Sequence, residues 1–310
     1  MKYKYTYTMI LMTIGCHKSV PITMDSQFED VGDAQSNIEQ KDVQLSDSIN
    51  ESNYPPILSE YTTHFDNNLD DRIVNISTAA SNLDGYIIEP NKIFSFNDVV
   101  GIRTVKNGYK KAPVLLEGRR TDDLGGGVCQ VSSTLHAAAL LGQLKIVERR
   151  PHSLVPKYIE PGYDATVAYP ASCEDPKQPC EKLDLKIKNT YDVPITINTR
   201  IDHGTENKDR LIIRLDGYDT KNCIARANHF NEPMNRGVRR MVRSGKILTP
   251  NYVKVAQQAA PGLMVWSSIV WLCEGKPDNQ VKWFSRYPPV DEIWEVGYAR
   301  PIDAGVPWKE

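Results

Sequence analysis

Cys129 ends the run Gly125-Gly126-Gly127-Val128-Cys129 and opens a segment that continues QVSSTLHAAALL to Leu141. Successive glycines tolerate positive φ and let backbone N–H groups converge on an anion or a developing oxyanion. A helix starting there adds partial positive charge, which favours thiolate over thiol and lowers a cysteine pKa from about 8.5. On this reading Cys129 is a nucleophile, and Gly125, Gly126, Gly127, Gln130, Ser132 and Ser133 form its oxyanion site or pocket. The competing reading is a buried cysteine acting as a small hydrophobe beside glycines that serve packing.

A thiol nucleophile needs a base. His17, His64, His203 and His229 lie in segments without a partner pattern. His136 follows Cys129 by seven residues on the same helix, about 10 Å along its axis, too far for direct proton transfer. His152, in ERRPHSLVP, follows a segment whose Ile146 and Val147 predict a strand, and Asp164, in PGYDATVAY, precedes a second predicted strand over residues 166–169. Cysteine at a helix N-terminus, histidine on one strand and a carboxylate on the next is the arrangement of papain-like and transglutaminase-like enzymes. Cys129, His152 and Asp164 are therefore the candidate catalytic residues. The alternative for His152 is a turn cap. No His or Cys spacing supports a metal site, and no cofactor is expected.

The elements that must position these residues are legible. Val131, Leu135, Ala138 and Gly142 share a helical face, with a high-propensity alanine run. Ile73, Ile76, Ala80 and Leu83 predict a helix over 71–83 that stops at Gly85. Phe94, Phe96 and the valines before Gly101 suggest a buried strand or turn. LDLKIKN, PITINTRI and RLIIRLDG alternate apolar and polar residues and predict a three-strand antiparallel meander. Helices early and strands late give an α+β domain, followed by a small β-rich C-terminal module.

From about Glu60 to Gly217 the chain resembles the VanW-like family of bacterial envelope proteins, named for an accessory member of vancomycin-resistance gene clusters. EYTTHFD, KIFSFNDVVG, GYKKAPV, GGGVCQVSSTL, ERRPHSL and PGYDATVAY carry the resemblance, in that order. It places Gly125, Gly126, Gly127, Cys129, Gln130, Ser132, Ser133, His152, Ser153 and Asp164 in family motifs, and His136 where an aromatic residue is expected. It implies a place in the envelope and no particular reaction. The run GGVCQ also looks like the nucleophile segment of transglutaminase-like enzymes. The segment from Lys221 resembles the glycine-repeat extracellular module that accompanies such domains, with a departing glycine pattern.

Lys2 and Lys4 precede the apolar stretch Met9 to Ile14 and then Gly15-Cys16, which reads as a lipoprotein signal with lipidation at Cys16. An ordinary secretory signal or a short uncleaved anchor are the alternatives, and all three mean export. The polar residues 16–54 read as a flexible tether, a coil reaching on the order of 35 Å. Residues 55–220 form the expected VanW-like domain and 221–310 the β-module. The formal charge of −2 argues against nucleic acid. The pairs Arg119-Arg120 and Arg149-Arg150 read as solvated loops, or as groups that meet substrate carboxylates. With Cys16 set aside, Cys173 and Cys180 bracket a turn-rich loop, Cys223 and Cys273 form a second pair, and Cys129 is the odd thiol. A shuffled pairing would block Cys129. Trp266, Trp271, Trp283 and Trp294 either stack on sugars or, as is commoner in β-modules, build the core.

These features lead to an exported, membrane-anchored or periplasmic to extracellular protein whose partners are peptidoglycan or other envelope components, with the membrane touched only through a lipid anchor or signal. The leading expectation is a non-catalytic accessory or binding protein at the cell wall, since the resemblance brings no reaction. The alternative is a cysteine-dependent acyl transferase or amide hydrolase on peptidoglycan peptides or envelope proteins. Convergence of Cys129, His152 and Asp164 separates the two.

Overall fold

The computed structural model describes residues 9–13, 56–116, 119–175, 177–204, 208–217, 223–237, 239–243, 252–273 and 276–297. Cys16, the basic residues of the expected signal and all of the expected tether lie outside these residues. Within the apolar N-terminal stretch, β1 (Met9–Thr13) pairs antiparallel with β11 (Cys223–Arg236). Among the described residues no helix is long and apolar enough to cross a membrane.

The first sheet has the order β2-β10-β9-β3, all antiparallel, from β2 (Ile57–Asp66), β10 (Lys208–Asp216), β9 (Ile195–Asp202) and β3 (Tyr86–Ile88). Its pattern is the period of two expected when one face is buried. Ile195 and Ile197 on β9, with Leu211, Ile213 and Leu215 on β10, are fully buried, and Ile197 faces Leu215 across the ladder. Onto this sheet pack α1 (Asp70–Leu83) and α3 (Val128–Leu141). The apolar stripe of α1 predicted from sequence is its buried face, with Ile76, Ala79, Ala80 and Leu83 inside. It ends where Gly85 takes φ +74°.

The predicted meander divides. β9 and β10 pair as expected, but β8 (Lys186–Lys188) joins a separate sheet between β4 (Ile93–Ser95) and β7 (Lys145–Glu148). The cause is local: the Asn189 side chain donates to the Ile88 and Val193 carbonyls, turning the chain before β9 begins. Ile187 then faces Phe94 on one side and Ile146 on the other. After β4, the Ser95 hydroxyl accepts from the Asp98 N–H and starts the short α2 (Phe96–Val100).

The hairpin β5 (Lys111–Leu116) and β6 (Arg119–Leu124) delivers the chain to Gly125. A Cβ on Gly126 would lie 2.4 Å from the Ala112 carbonyl oxygen, so the hairpin backbone itself excludes any side chain there. We expect Gly126→Ala to shift the hairpin or the start of α3 and to lower stability by about 1–3 kcal/mol, measured by denaturant unfolding.

The C-terminal region is strand-rich, as expected. β14 (Pro261–Cys273) and β15 (Lys276–Tyr287) extend the β1-β11 pair, while β12 (Arg239–Arg243), β16 (Glu292–Val296) and β13 (Val253–Gln257) form a three-stranded sheet. Disulfides join Cys173 to Cys180 and Cys223 to Cys273, the pairing the sequence suggested. Cys129 is the free cysteine among the described residues.

α3 lies between the two regions. Its residues are buried almost all round, as a helix with no polar face requires. Val131, Leu135, Ala138 and Ala139 belong to the core with α1 and the first sheet, whereas Ala137, Leu140 and Leu141 pack with Ala225, Ala227, Ile269 and Trp271. The Trp271 Nε1–H donates to the Leu141 carbonyl, one of the helix-end acceptors with no intrahelical donor.

Candidate functional site

α3 begins at a strained, closely packed turn. Gly127 precedes it at φ +112°, and Gly125 adopts φ +81° with its Cα against the Arg103 stem. All three glycines are buried, and the Gly125 N–H is spent on the Lys110 carbonyl. They are a close-packed corner more than an open nest. Val128 and Gln130 bond back to Gly125 and Gly127, while the Cys129 N–H between them meets no acceptor among the described residues. It stands at the positive end of the helix beside its own sulfur.

The sequence places Gln130 beside the thiol, but one residue along a helix turns the side chain about 100° away. The Gln130 amide accepts from Arg72 at 2.7 Å and donates to Thr63 and the His64 carbonyl at 3.0 Å each. It ties α3 to α1 and β2. Ser132 and Ser133 lie on the Cys129 side and clamp the helix to the segment that carries Asp164. Ser132 donates to the Ala165 carbonyl at 2.7 Å, and Ser133 accepts from the Ala165 N–H at 3.0 Å while donating to the Cys129 carbonyl at 2.6 Å. His136 donates from Nδ1 to the Tyr163 carbonyl at 2.7 Å, and burial lowers its pKa to about 3. It is a neutral strut.

The strand expected before His152 is β7, but the strand expected over 166–169 is irregular chain with one bridge at Ala168, and side-chain bonds hold His152 and Asp164 in place on irregular segments. One Asp164 oxygen accepts from the His152 N–H at 2.6 Å and from its Nδ1–H at 2.7 Å. This fixes the tautomer and leaves Nε2 for another partner, and Cys129 is the second group, after Asp164, that raises the His152 pKa. The other oxygen accepts from Arg149 at 2.9 Å and from the Tyr287 hydroxyl. Cys129 is half-buried, with Sγ 3.4 Å from the Val167 carbonyl, while His152 and Asp164 are sealed from solvent.

The charge pattern follows from these bonds. Burial alone would raise the Asp164 pKa, but the His152 hydrogen bond and charge, then Arg149 and Tyr287, hold it well below the usual carboxylate range. Burial would lower His152, yet its bonds to Asp164 and Cys129 push it up to about 9. Burial would raise Cys129, yet the His152 bond and charge, a backbone bond at Val167 and the Arg103 charge bring it below its ordinary value. The three groups therefore favour a carboxylate, an imidazolium and a thiolate.

Several members were not legible as such. The Arg149 guanidinium is no solvated loop group: it is buried, pairs with Asp164, and bonds the Asp164 and Gly162 carbonyls and the Ser285 hydroxyl. Tyr287, 123 residues after Asp164, also accepts from the Gly162 N–H at 2.7 Å, and Trp283 donates to the Gly162 carbonyl. Tyr158 stands edge-on to the His152 ring, and burial and the Cys129 charge push its phenol well above the ordinary value, keeping it a neutral donor. Proximity in three dimensions, with no local pattern, recruits them. We expect Tyr287→Phe to lower stability by about 1–3 kcal/mol through the lost bonds to Asp164 and Gly162, measured as a shift in unfolding midpoint. Among the described residues no group of three His, Cys, Asp or Glu side chains could hold a metal ion.

Residues 71–209, which contain all of Cys129, His152 and Asp164, match the family described as VanW like protein. The chain carries a VanW-like domain. It is 37% identical over 169 residues to the uncharacterized protein YoaR of Bacillus subtilis (strain 168), covering 54% of this chain and 50% of that protein. It is 29% identical over 133 residues to the vancomycin B-type resistance protein VanW of Enterococcus faecalis (strain ATCC 700802 / V583), covering 42% of this chain and 46% of the relative. The chain thus spans about half the length of the curated relatives it matches. A solved structure, the IgA1 protease G5 domain, aligns at 14% identity over 26% of this chain and 94% of its own, with a TM-score of 0.18, too low for a shared fold to be drawn from it. The VanW-like domain supplies the thiol, the imidazole and the carboxylate, and the region after it supplies Tyr287.

Proposed function

We propose that the VanW-like domain is a cysteine-dependent acyl transferase or amide hydrolase acting in the cell envelope, on peptidoglycan peptides or envelope proteins. The observation that carries this reading is the grouping of Cys129, His152 and Asp164, in which Asp164 holds the His152 ring at 2.7 Å and Cys129 and His152 each shift the other toward its charged form. The Cys129 thiolate attacks an amide carbonyl, and electrons move onto its oxygen, where the Cys129 N–H and the α3 N-terminus stabilise the charge. The His152 imidazolium gives its proton to the leaving amine as the C–N bond breaks, leaving an acyl thioester. Water or an acceptor amine then gives up a proton to His152 and takes the acyl group, and the sulfur leaves as thiolate, which restores the thiolate–imidazolium pair. Asp164 keeps His152 in the required tautomer. The order helix-borne Cys, then His, then carboxylate matches papain-like and transglutaminase-like enzymes, and the envelope setting is inferred from the expected export signal together with a relative named for vancomycin resistance.

The test is trapping. Incubated with cell-wall muropeptides, the wild-type protein is expected to form a hydroxylamine-sensitive adduct on the Cys129 peptide, detected by mass spectrometry, and Cys129→Ala to form none. An adduct-free wild type with a reactive Cys129 would contradict the assignment of muropeptides as acyl donors.

A second reading, an envelope-binding accessory, is favoured by one surface. Phe230, Trp266 and Phe284 sit opposite one another on β11, β14 and β15, with centroids 5.5 and 5.1 Å apart and exposures of 40, 40 and 46%. Asn228, Ser268 and Lys282 flank the row, which suits a sugar face. Trp271 is core, Trp283 bonds Gly162, and Trp294 lies on β16 and donates to Glu292, so Trp266 is the tryptophan in this row. Quenching of Trp266 fluorescence by wall glycan fragments, lost in Phe284→Ala, would support it.

A further inference from the structure

We infer that Arg103 is a carboxylate-binding residue beside Cys129, selecting acyl donors that carry a free carboxylate next to the reacting carbonyl. The inference rests on Cys129 being the nucleophile and adds the class of substrate it accepts.

Arg103 is 5% exposed, yet no carboxylate contacts its guanidinium among the described residues. One terminal nitrogen donates to the Gly101 carbonyl, and the guanidinium carbon lies 5.6 Å from the Phe96 ring centroid. The other terminal nitrogen, Nη2, is buried and has no hydrogen-bond partner. An unpaired N–H of a buried cation is costly, and burying a guanidinium is ordinarily offset by bidentate pairing to a carboxylate. Arg149, in the same domain, has an acceptor for each of Nε, Nη1 and Nη2, one of them the Asp164 carboxylate. Arg103 does not.

Its position is tied to the thiol from two directions. The Arg103 stem packs on Gly125, where an added Cβ would lie 2.8 Å from its Cγ, four residues before Cys129. The Arg103 N–H donates to the Tyr169 carbonyl, and the Cys129 sulfur lies against the Val167 carbonyl of the same segment. Two residues of extended chain span about 7 Å, so one short segment carries both the Arg103 backbone and the thiol, and the Arg103 charge acts on the Cys129 sulfur. A peptide whose carbonyl meets Cys129 could present the carboxylate of its terminal residue to Nη2. The planar donor fork fits a carboxylate better than a neutral amide.

Alkylation with two small probes tests this. Iodoacetate and iodoacetamide react with the same sulfur and differ in one carboxylate, so their rate ratio on the Cys129 peptide, read by mass spectrometry on the folded chain, reports local preference for an anion. The expected ratio is about tenfold above that of free cysteine in the same buffer, falling towards the free value in Arg103→Gln and kept in part in Arg103→Lys. A wild-type ratio equal to free cysteine, with rapid iodoacetamide reaction, would overturn the role of Arg103 and leave Cys129 as nucleophile. A raised ratio unchanged in Arg103→Gln would overturn it too, by assigning the preference to His152. A Cys129 inert to both probes would remove the catalytic reading itself. Where Arg103→Gln fails to fold, Arg103→Lys decides: a ratio between the wild-type and free-cysteine values supports the role of Arg103, and an unchanged ratio overturns it.

Discussion

Replacing His152 by alanine is expected to cut the alkylation rate of Cys129 by up to about 100-fold at about pH 6.5, where an ordinary thiol of pKa about 8.5 is only about 1% ionised. In the intact site the hydrogen bond and charge of His152 are the largest effects that lower the Cys129 pKa against burial. The α3 N-terminus and Arg103 remain in the variant, so some depression survives. The measurement is the iodoacetamide rate on the Cys129 peptide as a function of pH. In the wild type it should be high and nearly flat across the neutral range; in His152→Ala it should climb steeply toward alkaline pH. Equal profiles would mean that His152 does not touch the thiol.

Asp164→Asn is expected to cost about 3–5 kcal/mol of stability, since it leaves the buried Arg149 and a protonated His152 without their anion. The sign of the pH dependence follows from the two shifts. The Asp164 pKa is lowered by folding, so its contribution is present above about pH 4, the unfolded value, and is lost as pH falls through the lowered folded one. The His152 pKa is raised to about 9, so its contribution is complete below the ordinary histidine value and is lost as pH rises through about 9. The gap between wild type and Asp164→Asn in unfolding free energy should therefore be widest between about pH 4 and pH 6.5 and narrow on either side. A gap that is constant with pH would mean that the variant acts by packing alone.

Both effects trace to residues the sequence singles out, and the reasons differ. α1 is legible because a helix that buries one face must repeat apolar residues every three or four positions, as Ile76, Ala80 and Leu83 do, and α3 because its alanine run favours helix over any other state. Cys129 at the start of α3 follows from the glycines before it. His152 and Asp164 are legible as types and order, but not as positions on strands: hydrogen bonds of the Asp164 side chain, not a ladder, fix them. Ser132 and Ser133 are legible as belonging to the site because residues three and four apart share a helix face, and Gln130 points elsewhere for the same reason. Arg149 reads as solvated because charge runs usually are, and only the fold brings it to Asp164. Tyr287 has no local signal, since its role arises from a contact across 123 positions. β8 alternates like its neighbours in sequence, yet alternation says which face is buried and not which strand is the partner.

The central claim is that Cys129 is a thiolate held by His152. Ultraviolet titration of the folded chain, taken as the difference between wild type and Cys129→Ala, reads thiolate absorbance directly and needs no substrate. The account predicts that the absorbance persists well below about pH 8.5. A difference spectrum that appears only at or above the ordinary thiol pKa would contradict it.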